Sequence, residues 1–485
     1  MAYRHGIYVT EESTDVSSPA TSETGIPVVI GTAPIHLVDD PYSVTNKVVV
    51  CNSYEEAVLK LGYDDDFDRF TLCQAMDSFF KMFQVGPVAF INVLDVTNDK
   101  AEISETLDVV NGVATTEYGT NLRVIIAELV VSADGVELTK DTDYTIEFSI
   151  DDDSNLEVMT ITLLDTSITS ITLQGNWFNV DYVTAETIIG SYDAETGLET
   201  GLEVIRQVFP TTGLVPNLLL APGWSKENTV GLALCNKCTE INGVFTAECI
   251  VDINTEEATA YTAVESVKEE YGYTSEHCIL TYPKVMYNGK QYDYSAVYAA
   301  LCSYTDYNND NVPSLYPSNK EIPITATVVE DGTELLLDQS QANELNAIGV
   351  VTAINISSWR AWGNNTGAYP DNTDTKDRWI GCRRFFSWWG NRFITTYIDK
   401  VDNPANTRLT EAIVDEENVY GNSLVSEGKC AGASIEFNED ENSTENLLAG
   451  KVVFHQYIAS YTPAENIENT LEFDVSMLET ALGGE

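Results

Sequence analysis

Two strand-like runs at the ends of this chain constrain its fold most, because neither has an obvious partner nearby in the sequence. The runs are Gly6-Ile7-Tyr8-Val9 and Leu471 to Val475. An unpartnered strand leaves backbone donors and acceptors open, and natural proteins seldom expose such an edge. One solution is to add the strand to the sheet of a neighbouring molecule. The ends therefore predict strand exchange between subunits, through Gly6, Ile7, Tyr8, Val9, Leu471, Phe473 and Val475.

The composition excludes several function classes. The 485 residues include 76 acidic and 25 basic ones, so the formal net charge is −51, and phosphate backbones would be repelled by most of the surface. We expect no nucleic-acid binding. The sequence has neither an apolar run of roughly 18 residues, which a membrane span needs, nor the apolar core of a secretory signal at its start. Nine scattered cysteines do not form a disulfide framework, so we expect a cytosolic protein when it is made.

The hydrophobic pattern changes twice along the chain. Strands alternating with helices before residue 97 and again after about residue 200 predict a largely parallel, helix-covered sheet. Residues 101–200 hold 20 acidic residues and only two basic ones, and their short alternating runs separated by turn residues indicate a β-sandwich. The predicted organisation is an N-terminal extended arm (1–25), an α/β core (26–96 and 191–338), an inserted acidic β-domain (97–190), an α+β C-terminal domain (339–468) and a C-terminal arm (469–485).

Few motifs point to chemistry. Cys235-Asn236-Lys237-Cys238 has the spacing of a zinc half-site, but zinc needs two more ligands, and Cys249 and Cys278 each stand alone in the sequence. We interpret these as buried structural cysteines, with metal or redox chemistry as the alternative. The run from Asp306 to Asn311 begins like a calcium loop but lacks its glycine and its final glutamate, so it is interpreted as a polar turn. We expect no catalytic, cofactor-binding or metal-ligating residues, and no enzyme.

One segment reverses the charge of the chain. Between Lys376 and Lys400 there are six basic and two acidic residues, interleaved with seven aromatic ones. This pattern predicts a long helix, and it has two interpretations. The arginines either pair internally with the abundant acids, or they form a contact surface whose charge fixes the register of an acidic partner. In the second interpretation Arg383, Arg384 and Arg392 are the contact residues.

Several segments, in this order, resemble the contractile tail sheath proteins of myophages and R-type bacteriocins. The opening Gly6-Ile7-Tyr8-Val9 followed by Gly25 to Ala33 is similar to the start of that family. The closing Tyr461-Thr462-Pro463 with Ile467, before a Leu-x-Phe strand, is similar to its end. Between them lie Arg360 to Gly363, Arg383-Arg384 and Asn406-Thr407. The middle of the chain does not align, which fits the family's habit of carrying variable insertions.

The resemblance implies a structural protomer with a defined set of partners. Such subunits form six-start helical arrays, stacked as hexameric rings, around a rigid tail tube, and they contract when the baseplate triggers them. It also implies contacts with baseplate and terminator proteins, exchange of terminal strands between neighbours, and an innermost C-terminal domain against the tube, reached by the basic segment or by a following helix, 406–425. Assembly would occur in the host cytoplasm before the sheath joins a virion or bacteriocin particle. The rival classes are a cytosolic enzyme with a doubly wound domain and a surface-lattice or adhesive protein, which the missing export signal disfavours.

Overall fold

The computed structural model describes residues 25–151, 154 and 156–483, so Gly6, Ile7, Tyr8 and Val9 lie outside the described residues. Ser53 caps the first helix by accepting a hydrogen bond from the backbone of Glu56 at 3.3 Å, as expected for an N-cap serine. The second helix, which ends at Met76, continues directly into a π-helical turn, Asp77–Met82. The elements of this first segment are β1 (Ile26–Gly31), β2 (Val48–Cys51), α1 (Tyr54–Leu61), α2 (Leu72–Met76) and β3 (Val88–Asn92).

The next segment forms eight strands in two antiparallel sheets. One sheet has the order β5-β10-β9, and the other has the order β4-β11-β7-β8 with β6 also paired to β11. Side chains from both sheets form one separate apolar cluster, which includes Met159 and Leu173. The strands are β4 (Ala101–Asp108), β5 (Val113–Gly119), β6 (Leu122–Val124), β7 (Val130–Ala133), β8 (Val136–Glu137), β9 (Tyr144–Ile150), β10 (Leu156–Leu163) and β11 (Ser170–Asn179).

Strand–helix alternation then resumes. The elements are α3 (Ala185–Ile189), α4 (Val208–Thr212), β12 (Pro216–Leu220), α5 (Asn228–Lys237), β13 (Glu248–Asp252), α6 (Val264–Tyr271), β14 (Cys278–Thr281), β15 (Lys284–Tyr287), β16 (Lys290–Tyr292), α7 (Tyr294–Tyr307), β17 (Ala326–Val328), α8 (Gln339–Ala347), β18 (Val350–Ile356) and β19 (Ser358–Trp362).

One eight-stranded sheet organises the molecule. Its order is β19-β18-β14-β13-β12-β1-β3-β2, parallel throughout except for the two edge strands, β2 and β19. Strands β1, β3, β13 and β14 are buried at every residue, as expected for parallel strands covered by helices on both faces. The parallel sheet predicted from the alternation is observed.

Two expected unit borders need correction. Helix α8 packs on β18, and β18 and β19 form one edge of the main sheet, so residues 339–362 belong to the α/β unit and not to the C-terminal unit. At the other border, Ile188 of α3 is fully buried in the main apolar cluster, so α3 also belongs to the α/β unit, and the inserted segment ends before residue 185. Composition did not locate these borders because helix α8 and strand β18 continue the same alternation.

The last segment is a smaller α+β unit. It consists of α9 (Thr375–Arg378), α10 (Ile380–Tyr397), α11 (Thr407–Ser426), β20 (Gly432–Glu436), α12 (Thr444–Leu448), β21 (His455–Ala459) and α13 (Val475–Ala481). A small cluster around Phe385, Trp389 and Leu424 holds α10 against α11. Helix α10 also joins this unit to the main sheet, because Ser387 donates to Glu248 of β13 at 2.6 Å.

Candidate assembly interface

The C-terminal unit carries a two-stranded sheet with an open edge. Strands β20 and β21 pair with each other in antiparallel register and with no other strand in the described part of the chain. Asn418 of α11 donates to the carbonyl oxygen of Ile435 at 3.0 Å and accepts from its N–H at 3.1 Å. Helix α11 therefore already satisfies part of the outer edge of β20, and the outer edge of β21 is the one available to another strand.

An exposed apolar arm follows directly after this sheet. All residues from 464 to 483 are exposed, including large apolar side chains that a soluble monomer normally covers. Leu471 is 88% exposed and Phe473 is 74% exposed. The other exposed apolar residues of the arm are Ile467, Val475, Met477, Leu478 and Leu482. Nothing among the described residues covers this surface.

The base of the arm is fixed to the body, which sets where the arm departs. Tyr316 donates to the carbonyl oxygen of Tyr461 at 2.8 Å. Four residues later, Glu465 lies 3.6 Å from the guanidinium of Arg378 and accepts a hydrogen bond from Asn364 at 3.4 Å. Beyond Glu465 the side-chain hydrogen bonds of the arm among the described residues are all short-range, such as that between Asn466 and Glu468.

The conformation of the arm differs from the expected strand. Residues 460–474 have no regular secondary structure, and Val475 is the first residue of helix α13, capped by Asp474. Leu471 and Phe473 therefore have no ladder partner among the described residues.

The tube-contact hypothesis is wrong for Arg384. Its side chain is 3% exposed and pairs with Asp306 of α7, whose side chain is fully buried. Burial raises the pKa of Asp306, and the adjacent guanidinium opposes that shift. A buried charge pair needs both partners and their hydrogen bonds, so Arg384 has an internal role. Asp306 was also the first residue of the run interpreted as a polar turn, and it lies in the last turn of α7 instead.

Arg383 and Arg392 are only partly accessible. Arg383 pairs with Asp377 at 3.1 Å with its side chain 14% exposed. Arg392 pairs with the buried Glu417 of α11 and lies over the ring of Tyr420, 3.9 Å from its centroid. Both arginines are thus already neutralised within the subunit. By contrast, Lys400 and Arg408, which flank the turn between α10 and α11, are exposed and have no acidic partner among the described residues.

Polar groups also gather where the parallel strands end, the usual ligand site of a doubly wound enzyme. Asp252, at the end of β13, accepts hydrogen bonds from Ser225 at 2.9 Å, from Thr281 at 2.9 Å and from the backbone of Ser295 at 2.8 Å. Burial and the nearby carboxylate of Asp293 raise the pKa of Asp252 to about 6. Its oxygens accept from donors on β14, on α7 and on the turn before α5, so Asp252 ties these segments together at the sheet edge.

None of the helices in the described ranges combines the length and the apolar character that crossing a bilayer requires. No family model matches the chain.

The chain is similar to known tail sheath proteins, and to one of them over almost its whole length. It is 23% identical to the tail sheath protein of Burkholderia phage BcepMu, across 99% of each protein. It is 28% identical to the tail sheath protein of Escherichia phage P2, across 59% of this chain and 69% of that protein. The resemblance predicted from the sequence is therefore confirmed.

Solved structures share the fold. A chain in the baseplate structure of the anti-feeding prophage matches with a TM-score of 0.58 and 15% identity, across 98% of this chain and 100% of that one. A chain in the contracted sheath complex of the PVC extracellular contractile injection system matches with a TM-score of 0.57 and 15% identity, across 98% and 99%. The mixed α/β architecture with several sheets is common to all three.

Proposed function

We infer that this chain is the protomer of a contractile tail sheath, because it matches one phage tail sheath protein over almost its whole length and shares its fold with chains of contractile injection systems. The sheath polymerises helically around a tail tube and contracts to drive the tube through a cell envelope. The observation that carries this function is the exposed apolar arm, 464–483, beside the open edge of β21. One subunit thus presents both a donor and an acceptor for the same kind of contact.

In the assembly, the arm of one subunit adds a strand to the β20–β21 sheet of its neighbour. A two-stranded sheet is only marginally stable alone, so each subunit gains from receiving a strand. Burial of Leu471, Phe473 and Val475 would contribute about 1.5–3 kcal/mol for each side chain. The N-terminal run from Gly6 to Val9 supplies a second strand in the same proposal.

Backbone ladders of this kind suit a sheath that contracts. Hydrogen bonds between strands survive rigid-body rotation of the subunits that they connect, as long as the linking segments bend. The irregular stretch 460–470 is such a link. The energy released on contraction then comes from contacts between subunit bodies, which rearrange, and the strand joints persist in both states.

The remaining partners follow from the same assignment. The subunits form hexameric rings, contact a tube protein along the inside, and meet baseplate and terminator proteins at the ends. The inserted two-sheet unit stands on the outer surface. Assembly occurs in the cytoplasm of the producing cell, and the finished sheath belongs to a phage tail or a released particle. Nothing in this role calls for catalysis.

The contact with the tube must involve other residues, because Arg384 is buried and Arg383 and Arg392 already pair with acids of the same subunit. We assign the charged part of that contact to Lys400 and Arg408, the exposed unpaired cations at the turn between α10 and α11. Exposed charges of this type set register and association rate more than affinity. Arg383 and Arg392 would then touch the tube only with the parts of their side chains that remain exposed.

Replacing the three apolar residues of the arm tests the proposal. The variant Leu471→Ser, Phe473→Ser, Val475→Ser removes apolar side chains that are between 57% and 88% exposed, so the monomer should melt like the wild type. We expect it to remain monomeric in sedimentation and to form no cylinders by electron microscopy. A matched control, Val110→Ser, Val136→Ser, Leu164→Ser, removes three similarly exposed apolar residues of the inserted unit and should assemble normally. Cylinders of normal length from the arm variant would refute C-terminal strand exchange.

A further inference from the structure

Three cysteines from different parts of the sequence converge beneath helix α5. Cys235 lies in α5, Cys249 lies in β13, and Cys278 begins β14. Cys249 and Cys278 face each other as register partners in the parallel sheet. The three Sγ atoms all lie within 4.8 Å of one another, and those of Cys235 and Cys249 are 3.6 Å apart.

These spacings fit a thiolate metal centre. Zinc bound tetrahedrally by cysteines has Zn–S bonds of about 2.3 Å, which places the sulfur atoms about 3.8 Å from one another. The 3.6 Å separation of Cys235 and Cys249 already matches this value, and the other two, both within 4.8 Å, need to shorten by at most about 1 Å. Ordinary apolar packing does not require three thiols to meet at one point, since an alanine or valine could fill the same space.

A fourth cysteine, Cys238, directly follows the last residue of α5 and is fully buried. It comes three residues after Cys235, a spacing that places two side chains near each other at a helix end. Its Sγ atom donates to the carbonyl oxygens of Leu234 at 3.3 Å and His277 at 3.9 Å. The three sulfur atoms that already meet do not include that of Cys238, so its side chain would have to turn toward them to act as the fourth ligand.

A buried polar group without a partner marks the same place. The hydroxyl of Tyr273 is buried and has no hydrogen-bond partner among the described residues. It lies against Gly231 of α5, where an added Cβ would come within 2.1 Å of the hydroxyl oxygen. Gly231 is one helical turn before Cys235, so the hydroxyl lies on the cysteine face of the helix. The thiolate and thiol groups of the cluster also raise its pKa, after burial itself.

A divalent ion at this point would be held by thiolates, so its binding would release the thiol protons of the cluster.

We propose that Cys235, Cys249 and Cys278, completed by Cys238, bind one zinc ion that fixes α5 to strands β13 and β14. All four ligands would come from the protein, three of them buried and Cys235 half-buried, which makes the site structural and not catalytic. This proposal replaces the expectation that these cysteines serve only as core side chains. It is independent of the sheath function, because it concerns the folding of the α/β unit.

The test uses the full chain, purified without chelators from zinc-supplemented cells. We expect about one zinc per chain by elemental mass spectrometry. Titration of the zinc-free chain with Co²⁺ should give a thiolate-to-cobalt charge-transfer band and the visible bands of a tetrahedral site. The single variants Cys235→Ser and Cys278→Ser should each lose most of the metal. The control is Cys302→Ser, which removes a buried cysteine of α7 outside the cluster, and it should keep the metal.

Three results would overturn the proposal. The first is a wild-type chain that holds no zinc and gives no cobalt charge-transfer band. The second is a disulfide between Cys235 and Cys249, seen as a two-hydrogen mass loss that a reductant reverses. The third is equal metal loss in Cys302→Ser. Because the cobalt spectrum is read on the wild type, the test remains decisive even if a cluster variant fails to fold.

Discussion

Replacing Arg384 by methionine should destabilise the subunit strongly and leave tube binding intact in the molecules that stay folded. The substitution leaves Asp306, whose side chain is fully buried, without its partner in the core. Breaking a buried pair in this way costs about 3–5 kcal/mol, a large part of the roughly 5–15 kcal/mol that keeps a domain folded. Calorimetry on the chain with the arm substitutions, which keep it monomeric, measures the loss.

A double variant separates lost pairing from lost volume. Arg384→Met with Asp306→Leu removes both charges, so it should recover most of the lost stability, because apolar residues of similar size often replace a buried pair without cost. The control Arg360→Met breaks an exposed pair with Glu321, whose side chain is 66% exposed, and should change stability by only about 0–1 kcal/mol.

The same pair has a predictable pH dependence. Burial raises the pKa of Asp306 in the folded chain, and loss of Arg384 removes the opposing charge. An acid whose pKa is higher in the folded state binds more protons there than in the unfolded state. The free energy of unfolding therefore falls as the pH rises from the unfolded pKa to the folded pKa. The destabilisation by Arg384→Met should therefore be larger at pH 8 than at pH 5. A variant that melts like the wild type and loses only tube binding would restore the contact hypothesis and refute the internal role.

Three further predictions concern other parts of the fold. Joining residue 98 to residue 183 by a Gly/Ser linker should leave a cooperatively melting, assembly-competent chain, with a lower midpoint because the buried Phe178 leaves the main core; aggregation would contradict this. Burial raises the pKa of Glu157 to about 7, so the melting midpoint of the wild type should fall relative to Glu157→Gln between pH 5 and pH 8, and a constant difference would refute the shift. Gly421→Val should push α11 from β20, since a Cβ there would lie 2.9 Å from that of Ala433, and reduced cylinder formation by electron microscopy tests this.

Sequence patterns located the elements well because they depend on local periodicity. The helix expected over 377–399 is α10, 380–397, and the helix expected over 406–425 is α11, 407–426. The direction of each side chain on α10 was not predictable, because apolar and basic residues occur on all its faces. Only packing against α7 shows that Arg384 points inward.

The same limit applies to contacts between distant residues. Cys249 and Cys278 each stand alone in the sequence, and no local pattern says that they lie on neighbouring strands or in what register. The parallel pairing of β13 with β14 brings the two thiols together near Cys235. At the C-terminus, alternation at Leu471 to Val475 favours a strand, but this segment pairs with no strand among the described residues.

Helical reconstruction of cylinders formed by the full chain, by electron cryomicroscopy, tests the central claim most directly. The account predicts that residues 471–475 leave their own subunit and lie as an added strand along the outer edge of β21 in a neighbour, with backbone hydrogen bonds to it. Cylinders in which this segment folds back onto its own subunit, or in which β21 keeps an unpaired outer edge, would contradict the account.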